Sequence, residues 1–256
     1  MTSTARYAYL QTRLQARHGA RNDAASWRRL QGTADFANYL QLAQQSALRP
    51  WVMSLHAGQD SAEIEQTLRR QYRLHIEEVA GWAPPAWRPA IRWLLRLVDL
   101  PALRHLLAGE PAAAWLHDDP NLRVFTSEHA AIRMDAMLQS DCRVLAQAWE
   151  AGTPLLDAWL EHWQALWPNA AGERRGMDEI LRLLRQEMHI LRQQSHDHGQ
   201  ERLDVLQARQ VSAFRRYSFL PAAAFLHLAL TSLDVARLRG DLLVRKLFQI
   251  SPEQLA

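Results

Sequence analysis

Apolar residues recur along this chain at three- and four-residue intervals, and almost nowhere at intervals of two. In residues 5–18, Tyr7, Leu10 and Leu14 form one stripe with Arg6, Arg13 and Arg17 beside it, the pattern of an amphipathic helix. Asp23 or Ser26 is placed to cap a short helix around Trp27 and Leu30, and Thr33 to cap the next, through Phe36, Tyr39, Leu40 and Ala43. The clearest periodicity is in "SAEIEQTLRRQYRLHIEEVAGW". It opens on Ser61 with glutamates close behind and continues through Ile64, Leu68, Tyr72, Ile76 and Val79.

Prolines punctuate the middle. Pro84 and Pro85 end one helix, and Pro89 suits the first turn of another, where its missing N–H costs nothing. The same device is expected around Pro101 and Pro111, and "HDDPNLRVF" reads as a turn. Helices are expected over 126–150 and 153–167. A long periodic region over 173–217 should break at "SHDHG" (195–199), and further helices should cover 219–249. The best strand candidate is "RVFT". The fold class that follows is all-α: a single multi-helix domain over 1–256, with sub-units 1–117 and 118–256 and one long helical hairpin region. The 256 residues suffice for a sizeable core.

Short elements recur. "DLPALRHLL" from Asp99 and "DVARLRGDLL" from Asp234 share an acid, a leucine four residues on and an arginine after it. "EHAAIRMDAML" from Glu128 matches in part, through Ile132 and Arg133. The acid and the leucine at i+4 share a helix face; the arginine at i+5 does not. In "LDVARLRGDLLVRK", Asp234, Arg237, Asp241 and Arg245 form a charged series, and Asp241–Arg245 is an i,i+4 pair in the favourable order. Gly240 costs about 1 kcal/mol against alanine inside a helix, so it is expected to mark a close crossing by another helix.

Composition narrows function. Hydrophobic residues make up 48% and charged residues 22%, which is ordinary for a globular protein. Residues 1–107 carry 14 arginines against 8 acids, residues 108–256 carry 16 basic residues against 19 acids, and Lys246 is the only lysine. The basic first part suits an acidic partner or lipid headgroups, but the imbalance is too mild to imply nucleic acid. One cysteine, Cys142, excludes an internal disulfide and fits a reducing compartment. The N-terminus lacks the apolar core of a signal peptide. The longest apolar stretch, 219–230, falls short of the roughly 20 residues a membrane span needs. A cytoplasmic location follows, with any membrane contact peripheral, on the inner face.

Candidate chemistry is sparse. His196 and His198, at i and i+2, point apart on a helix, and with His189 they are the only plausible metal ligands. No spacing matches HExxH or the Glu-x-x-His of di-iron bundles. No phosphate-loop, dinucleotide or nucleophile-elbow motif occurs. Cys142 reads as a packed thiol, and His75, His105 and His227 as single histidines in apolar helices. The Trp159, Trp163 and Trp167 stripe reads as core first and as an interface anchor second. No catalytic residue, cofactor, metal or small-molecule substrate is expected.

"YAYLQTRLQAR", "VDLPALRHLLAG" and "FLHLALTSLDVARLRGDLLVR" together resemble the C-type subunit family of V-type ATPases, whose eukaryotic members are the d-type subunits. The likeness falls on Tyr9 and Arg13, on Asp99, Leu103 and Arg104, and on Asp234, Val235, Leu238 and Arg239. Where the family carries asparagine before leucine, this chain has Ala102 and Arg237, and it is shorter than expected for the family. The resemblance implies an all-α funnel of three similar helical units. It further implies a non-catalytic adaptor between the central stalk and the membrane rotor ring in ion or proton transport; Arg237, Gly240, Asp241 and Arg245, from the charged series itself, are further interaction candidates. A helical scaffold for another soluble protein is the alternative, and a metal-binding helical-bundle enzyme a lesser one.

Overall fold

The computed structural model describes residues 3–170, 172–192 and 199–248. The helices are α1 (Ser3–Gly19), α2 (Ala24–Gln31), α3 (Phe36–Gln44), α4 (Arg49–Val52), α5 (Ser61–Trp82), α6 (Arg88–Arg92), α7 (Leu94–Leu107), α8 (Ala114–Asp118), α9 (Ala130–Leu138), α10 (Arg143–Glu150), α11 (Leu155–Ala165), α12 (Met177–Arg192), α13 (Gly199–Arg216) and α14 (Pro221–Leu247). The protein is all-α, with no strand among the described residues.

The chain forms two compact units. One joins Met1–Pro84 to Pro168–Ala256, and the other is the continuous stretch Pro85–Trp167. The first unit is therefore built from both ends of the sequence. The expected boundary between 117 and 118 falls within α8, inside the second unit.

In the first unit α14 is the central element, packing against α13, α5, α1, α3 and α12. Pro221 occupies its first turn, where no N–H is needed. From Pro221 to Leu228 every side chain is buried. Its later leucines, Leu238 and Leu242, join Trp27, Leu30, Phe36, Tyr39, Leu40, Ile64 and Leu68 in one apolar cluster. The turn into α12 passes through Gly176 at φ +89°, where the Tyr217 ring lies 2.8 Å from the place a Cβ would occupy. Only glycine meets both demands.

Local signals chose some helix starts differently from expectation. Asp35, not Thr33, caps α3, its carboxylate accepting from the Asn38 N–H at 2.8 Å. Asp60 caps α5 in a reciprocal box with Glu63, which moves Ser61 to the first helical position. In both places a carboxylate within reach won over a hydroxyl at the positive end of the helix. Asp23 caps α2 as expected.

The second unit is organised by tryptophans. Trp87, Trp159 and Trp163 are buried. The Trp93 indole N–H donates to the Trp159 carbonyl (3.1 Å) and the Trp159 N–H to the Trp93 carbonyl (3.2 Å). Trp163 donates to the Ala90 carbonyl (3.1 Å) and stacks on Trp159 with centroids 5.5 Å apart. Trp167 is also buried, meeting Trp163 edge-on. The stripe is core, and Trp93, Trp159 and Trp163 each gain a backbone acceptor for the indole N–H.

Three further expectations change here. "RVFT" is no strand: Arg123–Phe125 make a 3₁₀ turn. The helix expected over 126–150 is broken, because the Ser140 hydroxyl donates to the Met137 carbonyl and accepts from the Cys142 N–H, diverting the backbone between α9 and α10. Pro101 lies inside α7 rather than at a helix start. The expected break at 195–199 lies largely outside the described residues.

Candidate functional site

The charged series on α14 is spent on intramolecular clamping. Asp234 is 8% exposed and accepts from Arg21 of the α1–α2 turn twice, at 2.6 Å from Nε and 2.9 Å from Nη2. Burial pushes the Asp234 carboxyl upward even though Arg21 pulls against it. Arg237 lies over the Trp27 ring at 4.5 Å. Arg245 donates to the carbonyls of Thr33 (2.7 Å) and Gln31 (3.1 Å), a cation placed on the electronegative end of α2, and lies over the Tyr39 ring at 4.2 Å. Asp241 accepts from the Tyr39 hydroxyl at 3.1 Å and sits 3.6 Å from Arg245. Burial and the Asp241 carboxylate together push the Tyr39 phenol far above its ordinary range. Arg239 is exposed and pairs with Glu65.

Gly240 does not mark a helix crossing. It is exposed, and nothing lies within 4 Å of where its Cβ would be. The helices that α14 meets here press on Leu238 and Leu242, the opposite side of the turn.

The other residues singled out by sequence are scattered. Tyr9 is 56% exposed, with Arg13 over its ring at 5.3 Å. In the second unit, Asp99 is fully buried and 3.1 Å from Arg96, which also holds Asp141 at 2.6 Å, while Arg104 is exposed. The two clear copies of the repeated element thus use their residues alike. The acid is buried and bridged to an arginine, Leu103 and Leu238 are buried at i+4, and Arg104 and Arg239 face outward. The third copy does not follow this pattern: Ile132 is 55% exposed, and Arg133 is buried and donates to the Glu110 carbonyl at 2.9 Å.

Cys142 is a packed thiol. It is buried, and burial pushes it up to about 11, so little thiolate exists at neutral pH. His196 and His198 lie outside the described residues, as does the His189 side chain. Among the described residues no group of three or more potential ligands could hold a metal, and no helix is long and apolar enough to cross a membrane.

One polar site was not legible in the sequence. A cavity of about 250 Å³ in the first unit is lined by Arg21, Trp51, Gln71, His75, His227 and Asp234, among others. His75 of α5 places Nδ1 3.2 Å from Glu78 and Nε2 2.9 Å from Nε2 of His227 on α14. Glu78 in turn accepts from Arg17 of α1 at 2.7 Å. Burial holds both imidazoles below the usual histidine range, His227 well below it, with His75, Arg21, His18 and Arg17 adding to the effect on His227. The His75–Glu78 spacing of three was visible in the sequence. The His75–His227 pairing spans 152 residues and left no local signal.

Comparison with protein-family models, with curated proteins and with solved structures finds no match to this chain.

Proposed function

We propose that this chain is a non-catalytic helical adaptor of the kind that links the central stalk of a V-type ATPase to its membrane rotor ring. The observation that carries the reading is the equivalence of the Asp99 and Asp234 elements. Each buries an aspartate against an arginine and a leucine one turn on, and each turns the following arginine outward. The two pairs reach beyond their helix by different routes: Arg21 of the α1–α2 turn holds Asp234 directly, whereas Arg96 holds Asp99 within α7 and Asp141 outside it, contacts that suit helix packing more than net stability. The all-α architecture agrees with it. Its partners on this reading are the stalk and ring proteins, and its place is peripheral, on the cytoplasmic face of the membrane.

The test is affinity purification of the tagged full chain from detergent-solubilised membranes of its source. Rotor-ring and stalk proteins should co-purify. Recovery of a single soluble partner would favour the helical-scaffold alternative, and recovery of no ATPase component would sink the adaptor reading.

A further inference from the structure

Three helices of the first unit meet at histidines close to arginines, with His227 buried and His18 and His75 half-buried. His227 of α14 is 2% exposed. From α1 and the turn after it His227 is faced by Arg17, His18 and Arg21, and from α5 by His75, whose other ring nitrogen meets Glu78. Phe214 of α13 lies between His18 and His227, with ring centroids 4.6 and 6.4 Å away, and Arg215 acts on His18. Asp234 of α14 itself is held by Arg21. The charged groups that α12 and α3 bring toward this unit engage elsewhere, Glu179 with Arg216 and Tyr217, and Tyr39 with Asp241.

The proton positions follow from the hydrogen bonds. A carboxylate only accepts, so His75 Nδ1 carries a hydrogen toward Glu78. In a neutral His75, Nε2 is then an acceptor, and His227 must donate from its own Nε2. That leaves His227 Nδ1 as a bare lone pair, and this atom is buried without a partner. A proton added to His75 turns its Nε2 into a donor. His227 must then accept there and carry its hydrogen on Nδ1, a buried N–H with no acceptor. A further proton sets two N–H groups against each other across 2.9 Å. The neutral pair leaves one acceptor bare, whereas the singly protonated pair leaves one buried N–H bare and adds a charge, and the doubly protonated pair loses its shared hydrogen bond.

Protons also have a way in. His75 and His227 both line the open cavity, and Glu78 is 38% exposed.

We propose that the Glu78–His75–His227 relay is an acid-operated latch, in which proton uptake by the imidazole pair releases α1 and α5 from α14. This does not depend on the adaptor reading. The direction is set by linkage: unfolded histidine titrates near 6.5, and the folded pair titrates lower. Between those values the open or unfolded chain binds more protons, so closure weakens as pH falls through about 6.5 and is fully present above it. Each histidine held neutral changes the opening equilibrium by up to about tenfold per pH unit within that window.

The test uses the full-length chain and two readouts. Imidazole ¹⁵N NMR at pH 7.5 should find His75 as the Nδ1–H tautomer and His227 as the Nε2–H tautomer. Amide hydrogen exchange, corrected for intrinsic chemistry, should show α1 opening at least about fivefold more often at pH 5.5 than at 6.5. The double variant His75→Gln/His227→Gln should lose most of this steepness, and His18→Gln, which removes one further imidazole held low by burial, should lose less of it. The latch is refuted if α1 protection is flat across this range, if the double variant keeps the wild-type dependence, or if NMR finds His227 titrating near 6.5 inside a closed structure. Should the double variant fail to fold, the wild-type NMR and exchange decide the matter alone.

Discussion

Replacing Arg21 and Asp234, singly and together, offers a quantitative check on how α14 is held. Their two hydrogen bonds are short, at 2.6 and 2.9 Å, and their side chains are 13% and 11% exposed. Asp234→Leu strands a guanidinium among buried groups, and Arg21→Met strands a carboxylate. Each should cost about 3 kcal/mol, the lower end for broken buried pairs, because the adjoining cavity admits water. The pair itself contributes little, since burial outweighs Arg21 in setting the Asp234 carboxyl. The double variant should therefore lose no more than either single variant, a coupling of at least about 3 kcal/mol. Urea titrations at pH 7.5 measure this directly, and each single variant should melt about 6–12 °C below wild type. Additive losses, near 6 kcal/mol for the double variant, would show that the two side chains act independently and that the bridge does not position α14.

Two further outcomes are expected. Trp163→Phe should cost about 1–3 kcal/mol by leaving the Ala90 carbonyl without its indole donor, with a changed near-ultraviolet circular dichroism band; an unchanged urea midpoint would contradict this. Gly240→Ala should stabilise by about 0.5–1 kcal/mol, while Gly176→Ala should destabilise by at least about 1 kcal/mol, as thermal melts will show; the reverse order would overturn both glycine assignments.

The helical pattern was readable because amphipathic faces repeat within the sequence itself. Tyr7, Leu10 and Leu14 are buried as their spacing requires, and so are Ile64, Leu68, Ile76 and Val79. Helix ends were less readable where two capping side chains lie close together, as Thr33 and Asp35 do. Gly240 misled because its cost in a helix interior suggested a compensating contact, and the helix simply carries that cost at an exposed position. Partners across long separations left no trace. Arg21 is 213 residues from Asp234, and nothing local distinguishes it from its neighbours Arg17 and Arg28. His75 and His227 each look like an isolated histidine until the fold sets them tip to tip.

The first unit is made from two stretches separated by the second, and that orders its birth on the ribosome. Residues 1–84 emerge well before the leucines that complete their cluster, Leu238 and Leu242. The stretch 85–167 carries its own tryptophan core and has all of its residues available much sooner. Until α14 is made, the faces of α1, α3 and α5 that it covers wait uncovered, a long interval of exposure to chaperones and to neighbouring nascent chains.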